Sequence, residues 1–131
     1  MKKFKFVKIV LVIAFALVCG FVALSQNAKG ETGKTEMVLF FNPGCPHCHH
    51  AMEFLQKIAP KYPDLVVTKY NTSTKVGVNY YFHYAKKLGL DNAGAVPLAV
   101  FGDKYELGFG GENSTGKKYI EHIEEMLKSS K

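Results

Sequence analysis

Two cysteines stand two residues apart in Cys45-Pro46-His47-Cys48. Thiols at this spacing can close on each other as a small-ring disulfide, and so carry two electrons and two protons without a cofactor. The flanks place the pair. Upstream lies the apolar run Met37-Val38-Leu39-Phe40-Phe41, then Asn42-Pro43-Gly44; downstream the pattern turns helical. That puts Cys45 where a strand gives way to a helix N-terminus. A thiolate there meets the positive end of the helix dipole and several unpaired N–H groups, and both favour the anion. Cys45 is therefore the candidate nucleophile. Cys48, one turn inside the helix, is expected to be more buried and less acidic, as suits a resolving thiol. His47 bears on direction. An imidazole that stabilises the Cys45 thiolate stabilises the reduced dithiol, which makes the disulfide a stronger oxidant.

The elements that must hold these residues can be read in turn. Met37–Asn42 is a continuous apolar run, as expected of a strand buried on both faces. A helix over Pro46–Ala59 starts on a proline suited to its first turn and stops at Pro60. Its inner face carries Cys48, Met52, Leu55 and Ala59, extended by Ala51, Phe54 and Ile58. Leu65–Tyr70 reads as a second strand, and Val76–Leu88 as a second helix capped by Gly89. Leu98–Phe101 and Lys104–Leu107 flank Gly102-Asp103, a two-residue hairpin signal. Asn113 or Ser114 is expected to cap a last helix to about Lys128, with Ile120, Ile123 and Leu127 inward. The order is β-α-β-α-β-β-α. It predicts an α/β fold: a four-stranded mixed sheet, its first two strands parallel through a right-handed crossover, with helices on both faces.

The chain begins differently. Lys2, Lys3, Lys5 and Lys8 precede Ile9–Leu24, a run of 16 residues without charge, and small residues follow at Ala23 and Ser25. Residues 1–25 read as a signal peptide or an N-terminal membrane anchor. Either one carries the remainder out of the cytoplasm, to the periplasm, the medium or the outer face of a bacterial plasma membrane. Cys19, inside the run, reads as an apolar residue of that segment. Residues 26–36 are polar, with Gly30 and Gly33, and read as a flexible linker; 37–131 form the domain. The net charge of +6 falls to +2 without the leader's lysines, and every basic residue is Lys. With no guanidinium forks and scattered lysines, nucleic-acid binding is not expected.

CxxC at the first strand–helix junction, Val96-Pro97 before the third strand and the β-α-β-α-β-β-α order together resemble the thioredoxin-like superfamily in its minimal form, over residues 37–128. Cys-Pro-His-Cys and Val-Pro are the versions used by bacterial periplasmic disulfide oxidases. The resemblance implies a thiol–disulfide oxidoreductase without cofactor or metal. Its site would comprise Cys45, Pro46, His47 and Cys48, with Val96 and Pro97 binding substrate. It implies a cis Val96–Pro97 bond that turns the Val96 backbone outward, where an extended client segment can pair with it as an added strand. Its clients would be the cysteine thiols of exported proteins; a membrane partner would reset the couple, and the protein would act as a monomer. The stretch Leu65–Asn71 is similar to a thioredoxin core strand that carries an inner lysine, which makes Lys69 a candidate proton relay; the alternative is a surface lysine whose stem lies along the strand. Two positions depart from the pattern. Leu39 stands where the family often has a buried acid, and Gly44 where an aromatic often precedes the first cysteine.

The Pro-His dipeptide favours client oxidation. The runner-up is an extracytoplasmic thiol reductase or electron carrier, as in cytochrome maturation. Two further alternatives use the same residues. Cys45–His49 matches CxxCH, a haem-attachment motif, though a buried strand before it and a β-rich second half suit haem poorly. Cys45, His47, Cys48, His49 and His50 offer soft ligands to zinc or copper, without a second ligand group elsewhere. Tyr80, Tyr81, Phe82 and Tyr84 on the second helix are expected to divide between core and surface, and Gly110-Gly111 to allow close backbone approach at the site's rim.

Overall fold

The computed structural model describes residues 34–91 and 94–131; the segment read as leader and most of the linker lie outside the described residues. Its elements are β1 (Thr35–Phe41), α1 (Pro46–Ile58), β2 (Leu65–Asn71), α2 (Lys75–Leu88), β3 (Leu98–Phe101), β4 (Lys104–Leu107) and α3 (Lys117–Ser129). The order is the one expected. β1 begins two residues before Met37, inside the stretch assigned to the linker. Short turns adjoin two helices: a 3₁₀ turn over Ala59–Lys61 follows α1, and a wide π turn over Glu112–Gly116 leads into α3.

The sheet runs β2-β1-β3-β4. β1 pairs parallel with β2 and antiparallel with β3, and β3 pairs antiparallel with β4. β1 and β3 are central, which is why Met37 to Phe40 and Leu98 to Phe101 are all buried and both read as unbroken apolar runs. Alternate residues serve opposite faces. Met37, Leu39, Ala99 and Phe101 pack against Ala51, Phe54, Leu55 and Ile58 of α1 and Tyr119 and Ile123 of α3. Val38, Phe40, Leu98 and Val100 pack against Tyr81 and Ala85 of α2. Helices thus cover both faces, and the core is two apolar layers divided by the sheet.

Local chemistry sets the ends. The Thr74 hydroxyl accepts from the Gly77 N–H and caps α2, and Gly89, at φ 67°, closes it in the left-handed conformation. Gly77 is obligatory for packing: a β-carbon there would lie 1.9 Å from the Asn71 carbonyl oxygen, where α2 crosses the end of β2. The start of α3 differs from expectation. Neither Asn113 nor Ser114 caps it; α3 begins from Gly116 without a side-chain cap. The Gly116 N–H instead donates to the Gly111 carbonyl at 3.0 Å, a wider i→i+5 closure. Gly116 packs flat on the Phe54 ring, where a β-carbon would stand 3.0 Å from it. That close approach, invisible to residue spacing, moves the helix start. No helix among the described residues is long and apolar enough to cross a membrane.

Candidate active site

The site lies where β1 ends and α1 begins. The Asn42 side chain accepts from the Gly44 N–H at 2.9 Å and the Asn42 carbonyl from the Cys45 N–H at 3.0 Å, so the chain turns tightly into the helix. Cys45 is the N-cap of α1: its backbone is extended and its sulfur accepts from the Cys48 N–H at 3.3 Å. A sulfur in the N-cap position takes up a donor that the first helical turn leaves unpaired, an arrangement that strengthens with negative charge on the sulfur. Pro46 fills the first helical position, where its missing N–H costs nothing.

The two thiols differ as expected. Cys45 is partly exposed and Cys48 is fully buried; both are free. Burial pushes the Cys48 thiol up to about 12, and its contact with Cys45 adds to the rise.

Val96 and Pro97 face Cys45. The Val96–Pro97 bond is cis. The Cys45 thiol reaches the Val96 carbonyl at 3.7 Å, and Pro97 is buried against the core. The loop is held from both sides. The Tyr81 hydroxyl donates to the Ala95 carbonyl at 2.9 Å and accepts from the Gly94 N–H at 3.1 Å. The Gly108 N–H donates to the Pro97 carbonyl at 2.7 Å. Beside this loop a hollow of about 260 Å³ opens between Asn42, Thr72, Val78, Tyr81, Phe82 and Gly94.

His47 is exposed, with one fixed contact: its Nδ1–H donates to the Phe109 carbonyl at 3.1 Å. A carbonyl only accepts, so Nδ1 carries the proton and Nε2 stays open. The bond ties α1 to the loop after β4, whose Phe109 ring packs on Phe54 and Tyr119. His49 is committed elsewhere, donating from Nε2 to the Pro43 carbonyl at 2.7 Å. No group of three histidine, cysteine or acidic side chains among the described residues is arranged to hold a metal ion.

Lys69 lies opposite Leu39 in the β1–β2 register, on an edge strand, and is exposed, the surface alternative for this residue. Among the described residues no ammonium group is buried. Among the aromatic residues of α2, Tyr81 is core, Tyr84 packs on Phe40, and Tyr80 and Phe82 are exposed, with Tyr80 stacked on Tyr70. Two contributors escape a sequence reading. The Phe109 carbonyl is a backbone atom without a sequence signal. The Tyr81 hydroxyl sits at a helical core position, where an aromatic reads as apolar filler; its polar tip is the one available hint.

No protein-family model matches the chain, and no curated protein sequence matches it. Solved structures do. Thioredoxin O2 of Arabidopsis thaliana in its oxidised state is 18% identical, with 68% of this chain and 74% of that chain covered at a TM-score of 0.50. The fold is thioredoxin-like. A glutaredoxin of Archaeoglobus fulgidus is 23% identical, covering 67% of this chain and 88% of its own at a TM-score of 0.48. Thioredoxin of Fasciola hepatica is 22% identical, covering 72% and 82% at 0.45. Within this thioredoxin-like frame, the cysteine pair sits at the first strand–helix junction, with the Val96–Pro97 loop against it.

Proposed function

We propose that the chain is an exported thiol–disulfide oxidoreductase that passes a Cys45–Cys48 disulfide to the thiols of exported proteins. One observation carries the reading: a partly exposed sulfur caps a helix 3.7 Å from the Val96 carbonyl, while its partner three residues on is fully buried. Only one sulfur of the pair is open to attack. A client thiolate attacks Cys45 Sγ. The Cys45–Cys48 bond breaks, its electron pair goes to Cys48 Sγ, and that sulfur takes one proton. A second client thiolate then attacks the client sulfur of the mixed disulfide. The client disulfide forms and Cys45 leaves as a thiolate, received by the Cys48 N–H and the helix N-terminus. A membrane redox partner reoxidises the pair.

The Val96 backbone beside Cys45 supplies peptide groups to a client lying as an added strand, and the 260 Å³ hollow has room for one of its side chains. The basic, apolar residues 1–25 support a site of action outside the cytoplasm. The Pro46-His47 dipeptide supports the oxidising direction: an imidazole between the cysteines favours the thiolate, and so the reduced dithiol.

The test uses the full-length chain in mild detergent, with Cys19→Ser in every variant. The oxidised protein is mixed with a reduced, unfolded disulfide protein. Client thiols should disappear as Cys45 and Cys48 become reduced, and reduced Cys48→Ala, mixed with the client in its disulfide form, should accumulate a mixed disulfide on Cys45. Client oxidation no faster than without the protein, together with an empty trap, refutes the function.

A further inference from the structure

The segment that faces Cys45 has few side chains of its own to fix it. Gly94 and Ala95 are exposed, Val96 is half-buried, and full burial begins at Pro97. The downstream end is set by the sheet: Leu98 lies opposite Phe40 in the β1–β3 register, and the Pro97 carbonyl accepts from the Gly108 N–H at 2.7 Å. Upstream of Pro97, among the described residues, two side chains hydrogen-bond the backbone. The Cys45 thiol reaches the Val96 carbonyl at 3.7 Å. The Tyr81 hydroxyl donates to the Ala95 carbonyl at 2.9 Å and accepts from the Gly94 N–H at 3.1 Å. The first of these contacts needs an S–H on Cys45. A thiolate, the Cys45–Cys48 disulfide and a mixed disulfide with a client all lack it. Tyr81 is therefore the side chain that keeps its grip on the segment throughout the exchange.

Tyr81 has the build of a strut. It stands on the inner face of α2 with Gly77 and Ala85, almost wholly buried. Its ring meets Phe40 edge-on, with centroids 5.4 Å apart at 78°, and has Phe82 at 6.0 Å and 85° on its other side. Phe40 belongs to β1, the strand that leads into the turn before Cys45. One ring thus rests on the strand that positions the sulfur, while its hydroxyl holds the segment that positions Val96. Packing in this layer needs only the ring. A buried hydroxyl must find partners, and here its donor and its acceptor capacity both go to adjacent residues of one segment. The Tyr119 hydroxyl, in the core layer on the other face of the sheet, is also buried and has no partner among the described residues. The grip on Gly94 and Ala95 is thus a property of Tyr81 and not of buried tyrosines in this fold.

We propose that Tyr81 is a positioning residue for extended polypeptide clients: its hydroxyl keeps the Val96 peptide groups beside Cys45 while that sulfur is bonded to the client. The proposal rests on the exchange described above and adds the class of substrate to which the site is fitted. A small thiol or disulfide needs only the sulfur. A client lying as an added strand needs Val96 in place as well, and a side chain that it sends into the 260 Å³ hollow lies against Tyr81, Phe82 and Gly94. Without the hydroxyl, the exposed backbone of Gly94 and Ala95 turns to water instead. The client must then order the segment as it binds, which weakens its hold and slows its reaction. The effect grows with the length of client that touches the segment, and it is least for a reagent that touches Cys45 alone.

The test compares two partners of Cys45. Every protein is the reduced full-length chain with Cys19→Ser and Cys48→Ala, in mild detergent, so that the exchange stops at the mixed disulfide. One partner is hydroxyethyl disulfide. The other is the symmetric disulfide of a short blocked peptide with a central cysteine between leucines. With either, the Cys45 thiolate attacks one sulfur, the mixed disulfide forms and the other half leaves as a thiolate. Mass spectrometry of acid-quenched samples gives both rates, and their ratio is the readout. Tyr81→Phe keeps the ring and removes the hydroxyl, and it should lower the ratio of peptide rate to small-disulfide rate at least threefold. Tyr119→Phe makes the same chemical change at a hydroxyl that holds nothing, and its ratio should fall by less. A smaller fall than threefold in Tyr81→Phe overturns the positioning role. So does an equal fall in Tyr119→Phe, or a loss of the same factor on both disulfides, because either marks a general loosening of the core. A parent Cys45 that attacks neither disulfide refutes the oxidoreductase reading, a different failure.

Discussion

The asymmetry of the two thiols gives a number that chemistry can check. Burial, helped by its contact with Cys45, raises the Cys48 thiol from 9.0 to about 12. At any pH below both values, a rise of three units makes the thiolate on the order of 10³ times scarcer than on an ordinary thiol. At about pH 8 only about one Cys48 in 10⁴ is ionised, and because Cys48 is fully buried the reagent meets few of those. The perturbation is alkylation of the reduced, full-length Cys19→Ser chain by iodoacetamide at that pH. Mass spectrometry of quenched samples should show one adduct per chain, on Cys45, with Cys48 modified at least about 10³ times more slowly. Denaturant should bring the two rates together, because the difference belongs to the fold. Rates within tenfold of each other in the folded protein, or Cys48 reacting first, would refute the burial argument and with it the division of roles.

Three further outcomes follow from the same structure. Cys48 holds its proton more tightly folded than unfolded, so its contribution to stability is complete below about pH 9 and is lost as pH rises towards 12. Three units correspond to up to about 4 kcal/mol, so urea unfolding of the reduced protein should weaken over that range. Cys48→Ala should weaken less, whereas an equal slope in both would contradict the assignment. Replacing His47 with Ala removes the imidazole between the two cysteines and its bond to the Phe109 carbonyl. The potential should fall by roughly 30 mV for every 1.4 kcal/mol of preference for the reduced form that is lost, measured against glutathione; an unchanged potential ends the tuning role. Gly77→Ala puts a methyl group 1.9 Å from the Asn71 carbonyl oxygen. Denaturation should show a loss of at least about 2 kcal/mol, against about 1 kcal/mol for Gly89→Ala, which strains only a helix cap. Equal losses would contradict the packing account.

Periodicity and punctuation carry far in this chain. The apolar runs at Met37 and Leu98 read as central strands because central strands have no wet face, and Pro46, Pro60 and Gly89 mark helix ends by their backbone limits. The cysteine pair and Val96-Pro97 are legible for the same reason: their chemistry lies in residue type and spacing. What stays hidden depends on the third dimension. Lys69 reads as an inner or a surface lysine until β2 proves to be an edge strand. Ser114 has the right chemistry for a helix cap, but the approach of Gly116 to Phe54 starts α3 later. The Phe109 carbonyl comes to His47 from 62 residues away, a distance no local pattern spans.

The most direct measurement is the equilibrium of the Cys45–Cys48 couple with glutathione redox buffers, using the full-length Cys19→Ser chain and mass spectrometry to count thiols. The account predicts one two-electron transition, with an intramolecular disulfide and a potential well above the value of about −270 mV typical of a cytosolic thioredoxin. A potential at or below that value would contradict the oxidising direction. A chain that forms only separate glutathione adducts on Cys45 and Cys48, and never their shared disulfide, would contradict the function itself.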